Sequence, residues 1–200
     1  MYILNIYVNL YTLALFAHVC GVIGIFAGMG VWAYSVAALR RAQRSEQARI
    51  LSGLMVASGN LVVGSILLLG VAGFYMAITV WGERATWIIV ATISFVLLAP
   101  GGALVIDPRV KAISRLARDA QDGPLPEALA VRTRDPMLAT GLSVYIAVLV
   151  GIVFLMTTKP PVEESVVAML IAVAVGSIVS LPLWRMRAKG RTALERSAAH

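Results

Sequence analysis

Few side chains in this sequence could do chemistry, and His18 stands out among them. It lies within an apolar stretch, from about residue 7 to Leu39, that contains no Asp, Glu, Lys or Arg. An ionisable group in such a stretch marks a functional site by default. Imidazole is a ligand of haem iron and of copper. The sequence therefore makes His18 the candidate cofactor or metal ligand, with haem b or copper as the cofactor.

Two other interpretations of His18 stay open. A neutral imidazole can bond to a polar group across a helix interface, and a histidine can also transfer protons. On a helical wheel Cys20 lies about 200° away, and Met29 lies about 16 Å along the axis, so neither can share a metal with His18. The residues that could bond to His18 are Asn60, Tyr11, Thr12 and Tyr145.

The remaining motifs point to no reaction. The sequence contains no paired nucleophile and base, no phosphate-binding loop and no HExxH zinc motif. No carboxylate lies in the middle of an apolar stretch, which argues against a proton-coupled transporter of the usual kind. Catalytic residues are therefore unassigned, and the sequence leaves open whether the protein is an enzyme.

The composition requires a chain that spans a membrane. Of 200 residues, 60% are hydrophobic and 14% are charged, whereas about 25% are charged in a typical soluble domain. A transmembrane helix needs about 20 apolar residues. Five segments meet this length, so the sequence predicts an all-α integral membrane protein with a single domain over residues 1–200. The predicted spans are 7–39, 50–81, 87–106, 137–156 and 162–184.

Prolines indicate where several spans begin and end. Asp135 before Pro136 predicts a capped start for the fourth span. Asp107 before Pro108 predicts the end of the third span, because proline disfavours the helical region for the residue before it. Within that span, the run 100–102 (Pro-Gly-Gly) should loosen the helix.

The basic residues predict the orientation. All but two of the 17 Lys and Arg residues lie in the first loop, the third loop or the C-terminal tail, and the exceptions are Arg84 and Lys159. Basic loops stay in the cytoplasm. We therefore expect a multi-pass protein of the bacterial plasma (inner) membrane, with its N-terminus outside and its C-terminus cytoplasmic.

The third loop, residues 107–134, is predicted to contain a basic amphipathic helix. Its apolar residues recur at helical spacing, and basic residues fill the other face. Such a helix contacts anionic lipids of the inner leaflet. No aromatic residue lies among these charges to stack on a base, so we expect no nucleic-acid partner. The apolar positions are Val110, Ile113, Leu116, Ala117 and Ala120.

Small residues recur along two of the spans. They let helix backbones approach closely in a membrane, where the hydrophobic effect does not drive helices together. We expect them to pack helices within the chain, or to form contacts in a homo-oligomer or membrane complex. The first-span ridge is Gly21, Gly24 and Gly28, and the fifth-span ridge is Ala168, Ala172, Gly176 and Ser180.

The segment from His18 to Gly28, followed by Arg40 and Arg41, resembles the first span of a group of small bacterial membrane proteins. The group includes an uncharacterised family of predicted integral membrane proteins, the copper-resistance D proteins and the membrane-bound protoporphyrinogen oxidases. Length and span number are most similar to the uncharacterised family. The resemblance to the oxidases implies that His18 is a haem ligand. The only other histidine, His200, lies on the tail, so one chain supplies a single histidine within the spans.

Two functions from different classes follow. The first is a small haem- or metal-linked accessory protein of membrane redox chemistry or its assembly, centred on His18. The alternative is a non-catalytic structural subunit or oligomeric scaffold, packed through the small-residue ridges. If two chains shared one haem, the glycine ridge beside His18 would have to lie at the contact between them.

Overall fold

A computed structural model describes the backbone of residues 2–81 and 85–198, and the side chains of residues 9–80 and 85–184. Within these ranges the chain is helical, and no strand longer than an isolated bridge occurs. Short π-helical turns, Ala77–Trp81 and Gly102–Ile106, follow the second and third helices. The helices are α1 (Tyr2–Leu39), α2 (Ser45–Met76), α3 (Thr86–Gly101), α4 (Asp107–Asp119), α5 (Glu127–Thr133), α6 (Pro136–Thr158) and α7 (Val162–Ala198).

Five helical stretches of the described chain are long and apolar enough to cross a membrane, as the sequence predicts. Their outward faces carry large apolar side chains such as Phe16, Val71 and Leu170. In water such a surface would be a severe aggregation hazard, whereas in a bilayer it is the surface that faces lipid. The five-span, all-α prediction is confirmed, and the orientation of the termini stays a prediction. The five stretches are Asn9–Leu39, Ser45–Val80, Thr86–Asp119, Glu127–Thr158 and Val162–Trp184.

The four long helices α1, α2, α6 and α7 pack as two hairpins, and α3 packs against the second of them. α1 lies along α2, α6 lies along α7, and α3 packs against α6 and α7. Contacts of α1 with α6 join the two halves. Trp32 ties the first hairpin together, since its Nε1 donates to the carbonyl of Met55 and to the hydroxyl of Ser58, both at 3.0 Å.

The helix does not end at Asp107 and Pro108, although the sequence predicts the end of the third span there, and the position where that span ends stays a prediction. The chain stays helical from Thr86 to Asp119, and Asp107 adopts right-handed helical angles, φ −56° and ψ −48°. Pro108 lies in the first turn of α4, where its missing N–H costs little. The sequence predicts a loosened helix at residues 100–102, and a π-helical turn follows directly after Pro100 and Gly101.

One end of the bundle, which we call the basic end, gathers the first loop and residues 107–135. The two loops pair, because Ser45 N–H donates to Gly123 O and Leu125 N–H donates to Gln43 O. Arg49 on α2 donates to the carbonyls of Ala117 and Ala120, at 3.0 and 2.7 Å. These contacts make the basic end a folded unit, in which α5 is an element that sequence patterns did not reveal.

Helix α4 has the amphipathic pattern that the sequence predicts, but protein covers its apolar face. Val110, Ile113 and Ala117 are buried, and α4 packs against α2. An amphipathic helix needs a free apolar face to insert among lipid headgroups. The buried residues therefore give α4 a structural role at the basic end, and its exposed basic residues and Leu116 remain to meet lipid.

Asp135 links the basic end to the second hairpin. One carboxylate oxygen accepts from the N–H of Met137, which is the predicted cap of α6, and the other lies 3.1 Å from Nε of Arg109. Arg40 adds a bond from its Nη1 to the Arg134 carbonyl. The side chains of Arg84 and of the basic tail residues Arg185, Arg187, Lys189, Arg191 and Arg196 lie outside the described residues.

Candidate functional site

His18 lies in the hairpin of α1 and α2, half-buried, with its ring turned to α2. Its Nδ1 is 3.3 Å from the carbonyl oxygen of Leu69. A carbonyl only accepts, so Nδ1 carries the hydrogen in this bond. In the neutral imidazole Nε2 then keeps its lone pair, and within the described part of the chain Nε2 has no hydrogen-bond partner. An Nδ1–H bonded to a backbone carbonyl is the arrangement that orients histidine ligands of metals.

A glycine on α2 makes room for the imidazole. A Cβ built at Gly73 would lie 3.1 Å from both Cε1 and Nδ1 of His18, closer than ordinary van der Waals contact. Leu69 and Gly73 are one turn apart on α2, so the carbonyl and the gap face the same ring. Neither residue was among the sequence candidates, because a backbone carbonyl and a missing side chain leave no chemical signature.

The glycine ridge beside His18 brings the two backbones together. A Cβ at Gly21 would lie 2.8 Å from the Cβ of Leu69, and Cβ atoms at Gly24 and Gly28 would meet Ser65 and Val62. All three glycines thus contact α2 of the same chain. Because α2 of the same chain covers this ridge, the ridge is not free to contact a second chain. A haem shared by two chains would require that contact.

Two of the side chains proposed as His18 partners lie elsewhere. Tyr145 on α6 donates its hydroxyl hydrogen to the Leu98 carbonyl of α3, at 2.7 Å. Asn60 is on the outward face of α2 and is exposed. The polar contact that the structure gives His18 is the one to Leu69.

The number of ligand groups around His18 bears on which cofactor it could bind. Among the described residues no group of three His, Cys, Asp or Glu could hold a metal ion, whereas copper sites in proteins combine several nitrogen and sulfur ligands. A haem needs only one axial imidazole from the protein. His200, the other histidine, lies outside the described residues.

The small residues of α7 face α6. A Cβ at Gly176 would lie 2.6 Å from Cα of Val144, so the two backbones touch there. Ala172 and Ser180 are buried on the same face, and Ala168 is half-buried. This ridge, like the glycine ridge of α1, contacts a neighbouring helix of the same chain.

Ser35 is a polar residue that the sequence reasoning did not single out as a site residue. It is fully buried, and its hydroxyl has no hydrogen-bond partner in the part of the chain that the structure describes. It follows Gly28 by seven residues, and so continues the face of α1 that carries Gly21 and Gly28. The seven-residue spacing from Gly28 is the sequence pattern that could have identified Ser35 as a residue of this face.

Comparison with known proteins gives a family and no individual relative. No curated protein and no solved structure matches the chain. The family model described as "Predicted integral membrane protein (DUF2269)" matches residues 12–160. The resemblance to a family of predicted integral membrane proteins is confirmed, and the distant similarity to copper-resistance D proteins and protoporphyrinogen oxidases stays a prediction. Because the match covers most of its length, the chain belongs to the DUF2269 family of predicted integral membrane proteins.

Proposed function

We propose that the protein is a small accessory protein of membrane redox chemistry or its assembly, which binds haem b through Nε2 of His18. The observation that carries the proposal is the bond between Nδ1 of His18 and the Leu69 carbonyl. It orients the ring and fixes the tautomer, and it would leave the second ring nitrogen free to act as a ligand. The apolar helices on either side supply the low-dielectric surroundings in which an apolar macrocycle is held.

We infer a stoichiometry of one haem for each chain, with one protein ligand to the iron. The described chain has one histidine in its spans, and α2 covers the glycine ridge that a shared site would need. Haem held by His18 alone would supply an iron that can bind a further ligand. The protein would thus hold haem in a form to which a partner or a small molecule can bind, in the inner membrane of a bacterium.

The test is the visible absorption spectrum of the purified full-length protein, as isolated and after reduction with dithionite. We expect a Soret band in the wild type and its loss in His18→Ala. Cys20→Ala is the matched control, since Cys20 is half-buried on another face of the same helix, and its spectrum should equal that of the wild type. A Soret band that persists in folded His18→Ala would overturn the assignment.

A structural scaffold is the second candidate, and Asn60 supports it. Asn60 is exposed on α2, near the middle of the bilayer, and its amide has no partner among the described residues. Gly53, Ala57 and Gly64 share its face, and nothing lies within 4 Å of a Cβ at either glycine. An amide in hydrocarbon is stabilised by a hydrogen bond to another helix. Since an amide both donates and accepts, two copies of α2 could satisfy each other.

Chemical cross-linking in membranes tests the scaffold. If chains associate through this face, Asn60→Leu should reduce the cross-linked dimer severalfold, because one interhelical hydrogen bond contributes about 0.6 kcal/mol and each dimer has two. Leu54→Val, at an exposed position about 120° around α2 from Asn60, should leave the dimer unchanged. Equal dimer yields from both variants would exclude this face as the contact.

A further inference from the structure

A groove of about 630 Å³ lies between the end of α1 and the start of α2, at the basic end of the bundle. Its polar lining groups are Tyr34, Arg41 and Gln47, and its apolar wall includes Ala37, Ile50 and Leu51. The first membrane-spanning stretch ends at Leu39, which lies in the sequence between the lining residues Ala38 and Arg41. The groove therefore lies where hydrocarbon gives way to lipid headgroups.

Arg41 differs from the arginines around it. Arg40, Arg44 and Arg49 each bond to the protein, through the Arg134 carbonyl, the Glu46 carboxylate and the Ala117 carbonyl respectively. The guanidinium of Arg41 has no hydrogen bond or ion pair in the described part of the chain, and the side chain is exposed. The groove thus holds a guanidinium whose five donors are unused by the fold.

The other lining groups complete a site for a phosphate with a hydrocarbon chain. Gln47 accepts from Gln43 N–H through Oε1, which leaves its amide hydrogens as donors. Tyr34 is 69% exposed and brings a hydroxyl at headgroup level, and Ile50 is 71% exposed and apolar. Donors at one level and an exposed apolar surface beside them match the two parts of a phospholipid.

We propose that this groove binds one anionic phospholipid, with its phosphate at Arg41 and an acyl chain along Ile50 and Leu51. Charge complementarity selects the anionic lipid, because the groove contributes an unpaired cation and no carboxylate among its lining residues. The site is independent of the proposed haem function. Tyr34 lies about 24 Å along α1 from His18, which separates the two sites by most of the bilayer core.

Native mass spectrometry of the delipidated full-length protein tests the proposal. Phosphatidylglycerol should be retained, phosphatidylcholine should bind at least severalfold more weakly, and inorganic phosphate should not displace the bound lipid. Arg41→Gln should weaken phosphatidylglycerol binding about fivefold, as expected for one basic residue near an anionic group. Arg115→Gln is the matched control, because Arg115 is exposed on α4, outside the groove, and it should change binding less than twofold.

A second pair of variants tests the apolar wall without changing charge. Ala37→Phe places a ring in the groove and should reduce phosphatidylglycerol binding at least fivefold, whereas Ala57→Phe, exposed on the outer face of α2, should not. Equal losses in Arg41→Gln and Arg115→Gln would assign the lipid to the general surface charge. Displacement by inorganic phosphate would identify a simple anion site. Either result, or unchanged binding in Ala37→Phe, overturns the proposal.

Discussion

At the scale of single residues, the position of the His18 ring depends on the absence of a side chain at Gly73 of α2. Gly73 leaves the space that the imidazole fills, and the Leu69 carbonyl one turn earlier accepts from Nδ1. A side chain at Gly73 would displace the ring from that carbonyl. The geometry on which the proposed ligand role of His18 is based therefore depends on a residue that has no chemistry of its own.

Gly73→Ala tests this dependence. Its Cβ would lie 3.1 Å from two atoms of the ring, so we expect the hydrogen bond to lengthen and the protein to lose about 0.6 kcal/mol relative to a control alanine. Gly70→Ala is that control, since nothing lies within 4 Å of its Cβ and both changes gain the same helix propensity. Thermal unfolding in detergent measures the difference. Equal stabilities for the two variants would show that the ring does not need this space.

The sequence predicted the ligand candidate and missed its surroundings, for a physical reason. A histidine in a charge-free apolar stretch is visible from composition alone, because ionisable groups are costly in hydrocarbon. The Leu69 carbonyl and Gly73 become meaningful only when the register of α1 against α2 is known. The suggested partners Asn60 and Tyr145 have the right chemistry, but their positions are set by helix rotation, which a single sequence does not fix.

At the scale of helices, close backbone contacts hold the two hairpins. At Gly24 a new Cβ would meet the hydroxyl of Ser65, which can rotate away, whereas at Gly176 it would meet the backbone of Val144 at 2.6 Å. A backbone cannot yield without moving its helix. Substitution at Gly176 should therefore be the more damaging of the two.

Gly176→Leu should destabilise the protein by about 1–3 kcal/mol, the usual cost of inserting extra atoms into a packed interface. The exposed neighbour Ala174 provides the matched control. Ala174→Leu should change stability by less than about 0.5 kcal/mol, because its side chain faces outward. Unfolding in mixed micelles measures the free energy of unfolding of both variants. Wild-type stability in Gly176→Leu would mean that α6 and α7 are not in contact at this residue.

The basic end depends on the backbone contacts of Arg49 more than on its ion pair. Its bonds to the carbonyls of Ala117 and Ala120 are made at half-buried positions, while its partner Asp122 has a 69% exposed side chain. Exposed ion pairs contribute about 0–1 kcal/mol, and hydrogen bonds from charged groups contribute about 1.5–3 kcal/mol. The hydrogen bonds from Arg49 to the two carbonyls should therefore contribute more to stability than its ion pair with Asp122.

Arg49→Met should cost about 1.5–3 kcal/mol and increase proteolysis of the loop at residues 120–126, since the carbonyls lose their donor. Asp122→Asn should cost less than about 0.5 kcal/mol. Limited proteolysis and thermal unfolding of both variants give the comparison. A larger loss of stability in Asp122→Asn than in Arg49→Met would show that the ion pair contributes more than the carbonyl bonds.

At the scale of the whole molecule, hydropathy predicts the five-span architecture because a bilayer admits few alternatives. The backbone must satisfy its own hydrogen bonds in hydrocarbon, so long apolar stretches form helices. The same rule does not reveal where a helix continues beyond the membrane. This is why the chain runs on through Pro108 into α4, and why α5 and the paired loops were not predicted.

The orientation of the molecule is a separate prediction. Reporter fusions at Arg44 and Gln121, both at the basic end, should be cytoplasmic, and fusions at Glu83 and Lys159 should be periplasmic. The reason is the retention of Lys and Arg on the cytoplasmic side. Alkaline phosphatase and fluorescent-protein fusions distinguish the two compartments. The opposite pattern would place nearly all basic residues on the periplasmic side and would contradict the predicted orientation.

The measurement that tests the central claim most directly is the haem content of the purified full-length protein, from haem-replete cells, as the pyridine haemochrome per polypeptide. If His18 is an axial ligand held by Leu69, wild type should contain close to one haem b per chain and folded His18→Ala should contain almost none. A haem-free wild type, together with a wild-type melting temperature in His18→Gln, would contradict the account. His18 would then be a structural residue that joins α1 to α2.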